Sequence, residues 1–161
     1  MLVSDIITNE WVYKGRPISQ TDIDISDYEG FVYIIKNIND DKSYIGKKTL
    51  WNRTKKKVQK KDGSGTKNSI VKKESDWKKY WGSNTFLKED VKEANALGFT
   101  REVLHFFKTK GESNYVEALY QFKYNVLLYP DKFYNQWIMV KVNRSHLNGL
   151  DADMFIFDDT K

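Results

Sequence analysis

The chain has no cysteine, two prolines and only two histidines among its 161 residues. Without cysteine there are no disulfides, thiolate nucleophiles or cysteine-ligated zinc sites. His105 and His146 alone exclude a multi-histidine metal site within one chain. No apolar run approaches a membrane span, and the first residues lack the basic start and apolar core of a signal peptide. A soluble cytoplasmic protein without a membrane partner is the expectation.

What is present is aromatic and basic. Hydrophobic residues make up 40% and aromatics 15%, enough for one modest core and too apolar for a disordered chain. The net charge is +5 and the pI about 9.1, a balance that points to a polyanionic partner. The charge is local. Between Lys47 and Lys79 lie 13 of the 27 lysines and arginines, against only Asp62, Glu74 and Asp76.

Phe31-Val32-Tyr33-Ile34-Ile35 is a run of β-formers, and the Asn/Asp-rich stretch 37–42 is a turn signal. Ser43-Tyr44-Ile45-Gly46 opens a second strand, so a hairpin is expected. Residues 52–73 lack apolar periodicity and read as a mobile basic loop. A helix from Ser83 or Asn84 to about Leu97 follows, with Leu87, Val91 and Ala94 on one face. A third strand covers 101–107. A second helix is expected over 115–128, with Leu119, Phe122 and Val126 as its buried stripe and Pro130 as its stop. The fold class is α/β (α+β): a three-stranded sheet flanked by helices. The divisions are an N-terminal extension 1–29, a core domain 30–138 with a basic insertion 52–75, and a tail 139–161.

At the hairpin the chain resembles the GIY-YIG nuclease family. Its first motif reads Phe31-Val32-Tyr33, with Phe where Gly is usual, and its second, Tyr44-Ile45-Gly46, is intact. Ten residues separate the two tyrosines, and Tyr80, Glu117 and Asn135 follow in order. The Tyr80-Trp81-Gly82-Ser83 element and the lysine-rich insertion make the resemblance closest to small phage-type members. It implies a metal-dependent endonuclease acting on DNA, homing-type or directed against host or competitor DNA. Glu117 would hold one Mg²⁺ (or Mn²⁺), leaving most of its shell to water and phosphate. Tyr44 would be the base and Tyr33 would orient water or phosphate. Tyr80 would stand near the phosphate and Asn135 would hold the geometry. The family's phosphate-gripping arginine would be Arg53, with Lys47, Lys48 or a lysine at 55–57 as alternatives.

Each assignment has a plainer counterpart. The tyrosines could be cross-strand aromatics. Asn114-x-x-Glu117 is also a capping-box pattern, although Glu117 shares a helical face with Gln121 and Tyr124 that can line a cleft. Lys47, Lys48, Lys55, Lys56 and Lys57 are expected on the DNA backbone. His105 reads as a packed core histidine and His146 as a surface residue. These 161 residues leave no room for a separate recognition domain, so specificity would come from the basic insertion, the termini or a homodimer. A catalytically silent nucleic-acid-binding module and an RNA-directed nuclease are the competing functions.

Overall fold

A five-residue run with no polar position suits a strand covered on both faces. In the computed structural model, which describes residues 9–147 and 149–155, that run lies within β3 (Gly30–Asn37), buried along nearly its whole length. β3 is antiparallel to β4 (Lys42–Thr49) on one side and to β7 (Phe99–Phe107) on the other. β1 (Trp11–Tyr13) runs parallel to β7, and β2 (Arg16–Pro17) turns back on β1. The sheet order is β2-β1-β7-β3-β4, which leaves β4 at an edge.

The sheet therefore has five strands rather than the expected three, and the expected N-terminal extension supplies two of them. Strands of two and three residues carry too little alternation to be read from sequence. Lys14 and Gly15, both at positive φ, make the tight turn between them.

Alternation along β3 feeds two cores. Phe31, Tyr33 and Ile35 face Trp11, Trp77, Phe106 and the Leu87 and Val91 stripe of α1 (Thr85–Glu93). Val32 and Ile34 face Ile45, Phe107 and Val116 of α2 (Lys110–Lys123). A register shift opposite Val32 and Tyr33 leaves Leu104 as an extra residue in β7. It allows Val103 and Phe106 to face the same core. No helix among the described residues is long and apolar enough to cross a membrane.

Three further expectations are corrected. The basic stretch is not a loop but a two-stranded ribbon, β5 (Trp51–Gln59) paired with β6 (Thr66–Glu74) through nine residue pairs. Both of its faces meet solvent, so the one-sided apolar alternation that betrays a strand is missing. The first helix ends at Glu93, four residues early, because Asn95 and Ala96 turn left-handed. The second helix begins at Lys110 and ends at Lys123, well before Pro130. Its buried positions are Ser113, Val116, Ala118 and Gln121, while Phe122 is 60% exposed. Polar residues on the covered face hid the true stripe.

Phe31 packs edge-on against Trp11, Tyr33, Trp77 and Phe106 and has no exposed surface. The usual glycine would leave that volume empty here. Phe31→Gly is expected to destabilise the fold by about 4 kcal/mol in denaturant titration; a loss below about 1 kcal/mol would contradict this packing.

Candidate active site

Tyr33 lies opposite Gly46 in the β3–β4 register. A Cβ on Gly46 would stand 2.6 Å from the Tyr33 hydroxyl and 2.9 Å from the Tyr44 ring. Only glycine leaves both rings room to converge there. Tyr33 is fully buried, its ring centroid 6.2 Å from that of Tyr44 and 6.0 Å from that of Tyr80. Gly82, at φ +84, lets the following chain pass Tyr44, whose hydroxyl meets Ser83 Oγ at 2.8 Å.

Tyr80 sits in a loop tied down by a residue with no role assigned from sequence. Arg101 lies between the rings of Trp11 and Trp81 and donates to the carbonyls of Lys78 and Tyr80. Burial lowers its guanidinium to about 10. Lys48 places its ammonium 4.0 Å from the Tyr80 ring centroid and pairs with Asp76.

Glu117 arrives from the other face of the sheet. The true cap of α2 is Thr109, whose hydroxyl accepts from the Glu112 amide. Glu112 in turn accepts from the Lys108 amide and meets His105 Nε2 at 2.8 Å. The capping pattern thus lies at Thr109-x-x-Glu112, which removes capping as the explanation for Glu117 and gives buried His105 a structural partner. Glu117 instead points to β4, where Lys47 Nζ stands 2.7 Å from its carboxylate and donates to Asn114 Oδ1 at 2.6 Å.

The edge of β4 is closed by side chains. Asn135, 8% exposed, accepts from the Ile45 amide at 3.0 Å and donates to the Ile45 carbonyl at 2.8 Å. Gln121 donates to the same carbonyl at 3.1 Å. One turn of chain away, Ser43 exchanges backbone bonds with Lys132 and Tyr134. Beside this clamp opens a cleft of about 350 Å³, lined by Tyr44, Lys47, Ser83, Glu117, Gln121 and Asn135. Trp137, 72% exposed, stands at its rim.

Four residues singled out from sequence share this cleft: Tyr44, Lys47, Glu117 and Asn135. Tyr33 and Tyr80 stand behind Tyr44. Arg53 does not join them. It lies on β5, more than half exposed, paired to Glu29 at 2.7 Å and lining a neighbouring hollow with Trp51, Lys108, Lys48 and Lys47, the last shared with the cleft. The turn from β4 into the ribbon carries it away. Lys55, Lys56 and Lys57 are also on the ribbon, exposed, with Lys55 and Lys57 on one face and Lys56 on the other. Ser83 and Asn114 were missed as site residues, although Ser83 ends the Tyr80-Trp81-Gly82-Ser83 element and Asn114 opens the Asn114-x-x-Glu117 pattern.

A family model for the GIY-YIG domain of the segE endonuclease matches residues 11–138. The chain belongs to the GIY-YIG endonuclease family. No curated protein and no solved structure compared with it matches significantly. Members of the family are generally dependent on a divalent metal. Among the described residues there is no cluster of three metal-binding carboxylates, histidines or cysteines. The donor chemistry nevertheless fits a hard cation: one carboxylate, Glu117, facing an open polar cleft with room for water and phosphate oxygens.

Burial pushes the Tyr33 phenol well above its ordinary value of 10, and Tyr80, Tyr44 and Glu117 push the same way. Burial also raises Tyr44, with the Ser83 hydrogen bond opposing it. In the free protein both phenols therefore sit above their ordinary value, not below it. Glu117 is raised by burial and pulled back by Lys47.

Asn135→Ala removes both bonds to Ile45. The fold is expected to lose about 2 kcal/mol, and the Ile45 amide should exchange with solvent much faster than that of Ile34. Unchanged protection at Ile45 would show that Asn135 does not hold the strand.

Proposed function

We propose that the chain is a divalent-metal-dependent DNA endonuclease whose active centre is the cleft at the edge of β4. The observation that supports this best is the meeting of Tyr44 and Ser83 from one face of the sheet with Lys47 and Glu117 from the other. A phosphodiester placed there would find a proton acceptor, an ammonium and a carboxylate within one small volume.

Glu117 would hold Mg²⁺ or Mn²⁺, which when bound supplies positive charge against the phosphorane oxygens. Lys47, displaced from Glu117, would turn to a non-bridging phosphate oxygen, the task first expected of Arg53. Tyr33 would hold the Tyr44 ring in place. In its phenolate form, Tyr44 Oη would take a proton from the attacking water as the new P–O bond forms. The opposite P–O bond breaks, and its oxygen leaves with a proton from solvent. Asn135 would keep this edge at fixed register, and Tyr80 would carry Lys48 beside the phosphate path. Trp137 offers a face on which an unstacked base can lie.

The resemblance to phage-type relatives supports a role on DNA in the host cytoplasm, in homing or in degrading host or competitor DNA. A homodimer would bring a second cleft to the other strand.

Purified protein is expected to nick or linearise supercoiled plasmid with Mg²⁺ and not with EDTA. Glu117→Ala should abolish cleavage while retaining DNA binding, and Lys47→Met should lower turnover by about 10²-fold or more. Binding without cleavage by the wild type would overturn the catalytic reading in favour of a binding module. Cleavage confined to RNA would redirect the substrate.

The pH profile carries a sign. A base must be deprotonated, and burial raises the Tyr44 phenol above its ordinary value of 10, so the phenolate fraction grows throughout the neutral and alkaline range. Single-turnover rates should climb from about pH 7 to about pH 9. Tyr44→Phe should remove the climb along with most of the rate. A wild-type profile that is flat or falling over this range would exclude Tyr44 as the base.

A further inference from the structure

The β5–β6 ribbon has no evident work within the fold. Only its root is tied to the body. Trp51 Nε1 donates to the Tyr28 carbonyl, Arg53 pairs with Glu29, and Ser75 bonds to Leu50 and Thr49. Beyond that root nearly every residue of both strands is exposed. A two-stranded ribbon with neither face packed is marginal on its own, and 64%-exposed Ile70 adds a further unfavourable exposure. Nine lysines and arginines against two acids lie between Trp51 and Glu74. That charge is complementary to a polyanion.

We propose that this ribbon is inserted into the major groove of duplex DNA next to the cleaved phosphate. The inference rests on the reading of the chain as a DNA endonuclease and assigns its recognition element. The dimensions agree: nine residue pairs extend for about 30 Å, nearly one helical turn, and the major groove accepts a two-stranded ribbon. The register divides the work between faces. Arg53 and Trp51 turn one face towards Glu29 and Tyr28 of the body. The opposite face presents Thr54, Lys56 and Val58 of β5 across from Val71, Ser69 and Lys67 of β6. Hydroxyls and ammonium groups interleaved with valines are side chains that read base edges and meet thymine methyl groups. Lys55 and Lys57 on the body-side face are left for the flanking phosphates, while Lys72 stays at the root over Trp51 and near Glu29. The root follows directly on β4, so the groove occupied lies within about one turn of the cut.

The test is binding to a duplex of roughly 30 base pairs, three helical turns, with unmodified cytosine or with glucosylated 5-hydroxymethylcytosine, whose sugar fills the major groove. Two variants accompany the wild type. In one, Lys55 to Ile70 is replaced by Asn-Gly, a two-residue hairpin turn joining Thr54 to Val71. In the other, Lys56→Glu and Lys67→Glu reverse charge on the outer face without shortening the chain. The wild type is expected to bind the glucosylated duplex at least about tenfold more weakly. Both variants should bind weakly and without distinguishing the duplexes, and netropsin in the minor groove should leave wild-type binding unchanged. Equal wild-type affinity for the two duplexes, or full discrimination retained by the charge-reversed variant, would overturn the ribbon's assignment and leave the nuclease reading intact. Failure of the wild type to bind either duplex would overturn both.

Discussion

The site depends on how one exposed edge strand is held. β4 carries Tyr44, Gly46, Lys47 and Lys48, yet among the described residues no named strand lies on its outer side. An unpaired edge frays or pairs with another chain unless something covers it. Here Asn135 and Gln121 satisfy the Ile45 amide and carbonyl, and residues 132–134 satisfy Ser43. Helix α2 and a C-terminal segment are thereby tied to the strand whose alternate side chains face opposite sides of the sheet. Tyr44 is aimed towards α1 and Ser83, Lys47 towards α2 and Glu117. A slip of one residue would exchange them.

Gly46 sets the second constraint. Its missing side chain is the space into which the Tyr33 phenol extends, and the pleat then sets Tyr44 beside it. The three tyrosines meet at tilted and edge-on angles, with Tyr33 buried behind Tyr44 at the cleft wall, and Arg101 holds the loop that brings Tyr80 to them. Burial also holds the protons on Tyr33 and Tyr44. Opposite them, Lys47 neutralises Glu117 in the free protein. Under the proposed function, a metal ion and a phosphate would each take over one member of that pair. An ion pair between partly buried groups keeps both charges available without leaving either unpaired.

Part of this was legible in the sequence. Tyr33, Tyr44, Glu117 and Asn135 were picked out through the resemblance to the GIY-YIG family, and all but Tyr33 line the cleft. The hairpin, the Leu87 and Val91 stripe and the buried His105 also followed from local pattern. What failed has physical causes. Strands of two or three residues have no period to detect. The basic ribbon lacks a buried face, so its strands resembled a polar loop. The buried stripe of α2 includes Ser113 and Gln121, polar residues satisfied by backbone partners, so an apolar template was drawn to exposed Phe122 instead. Arg53 was chosen as the lone arginine in range, but position along the chain does not reveal that β4 ends and the ribbon turns outward before it.

The central claim is that the cleft beside β4, and not the hollow around Arg53, receives the scissile phosphate and the metal. A crystal structure of Tyr44→Phe bound to duplex DNA with Mn²⁺ tests it most directly. The expected result is an anomalous metal peak on the Glu117 carboxylate, with a phosphate between Lys47 and the ring at position 44. A phosphate seated against Arg53 and Trp51, or a metal ion bound away from Glu117, would contradict it.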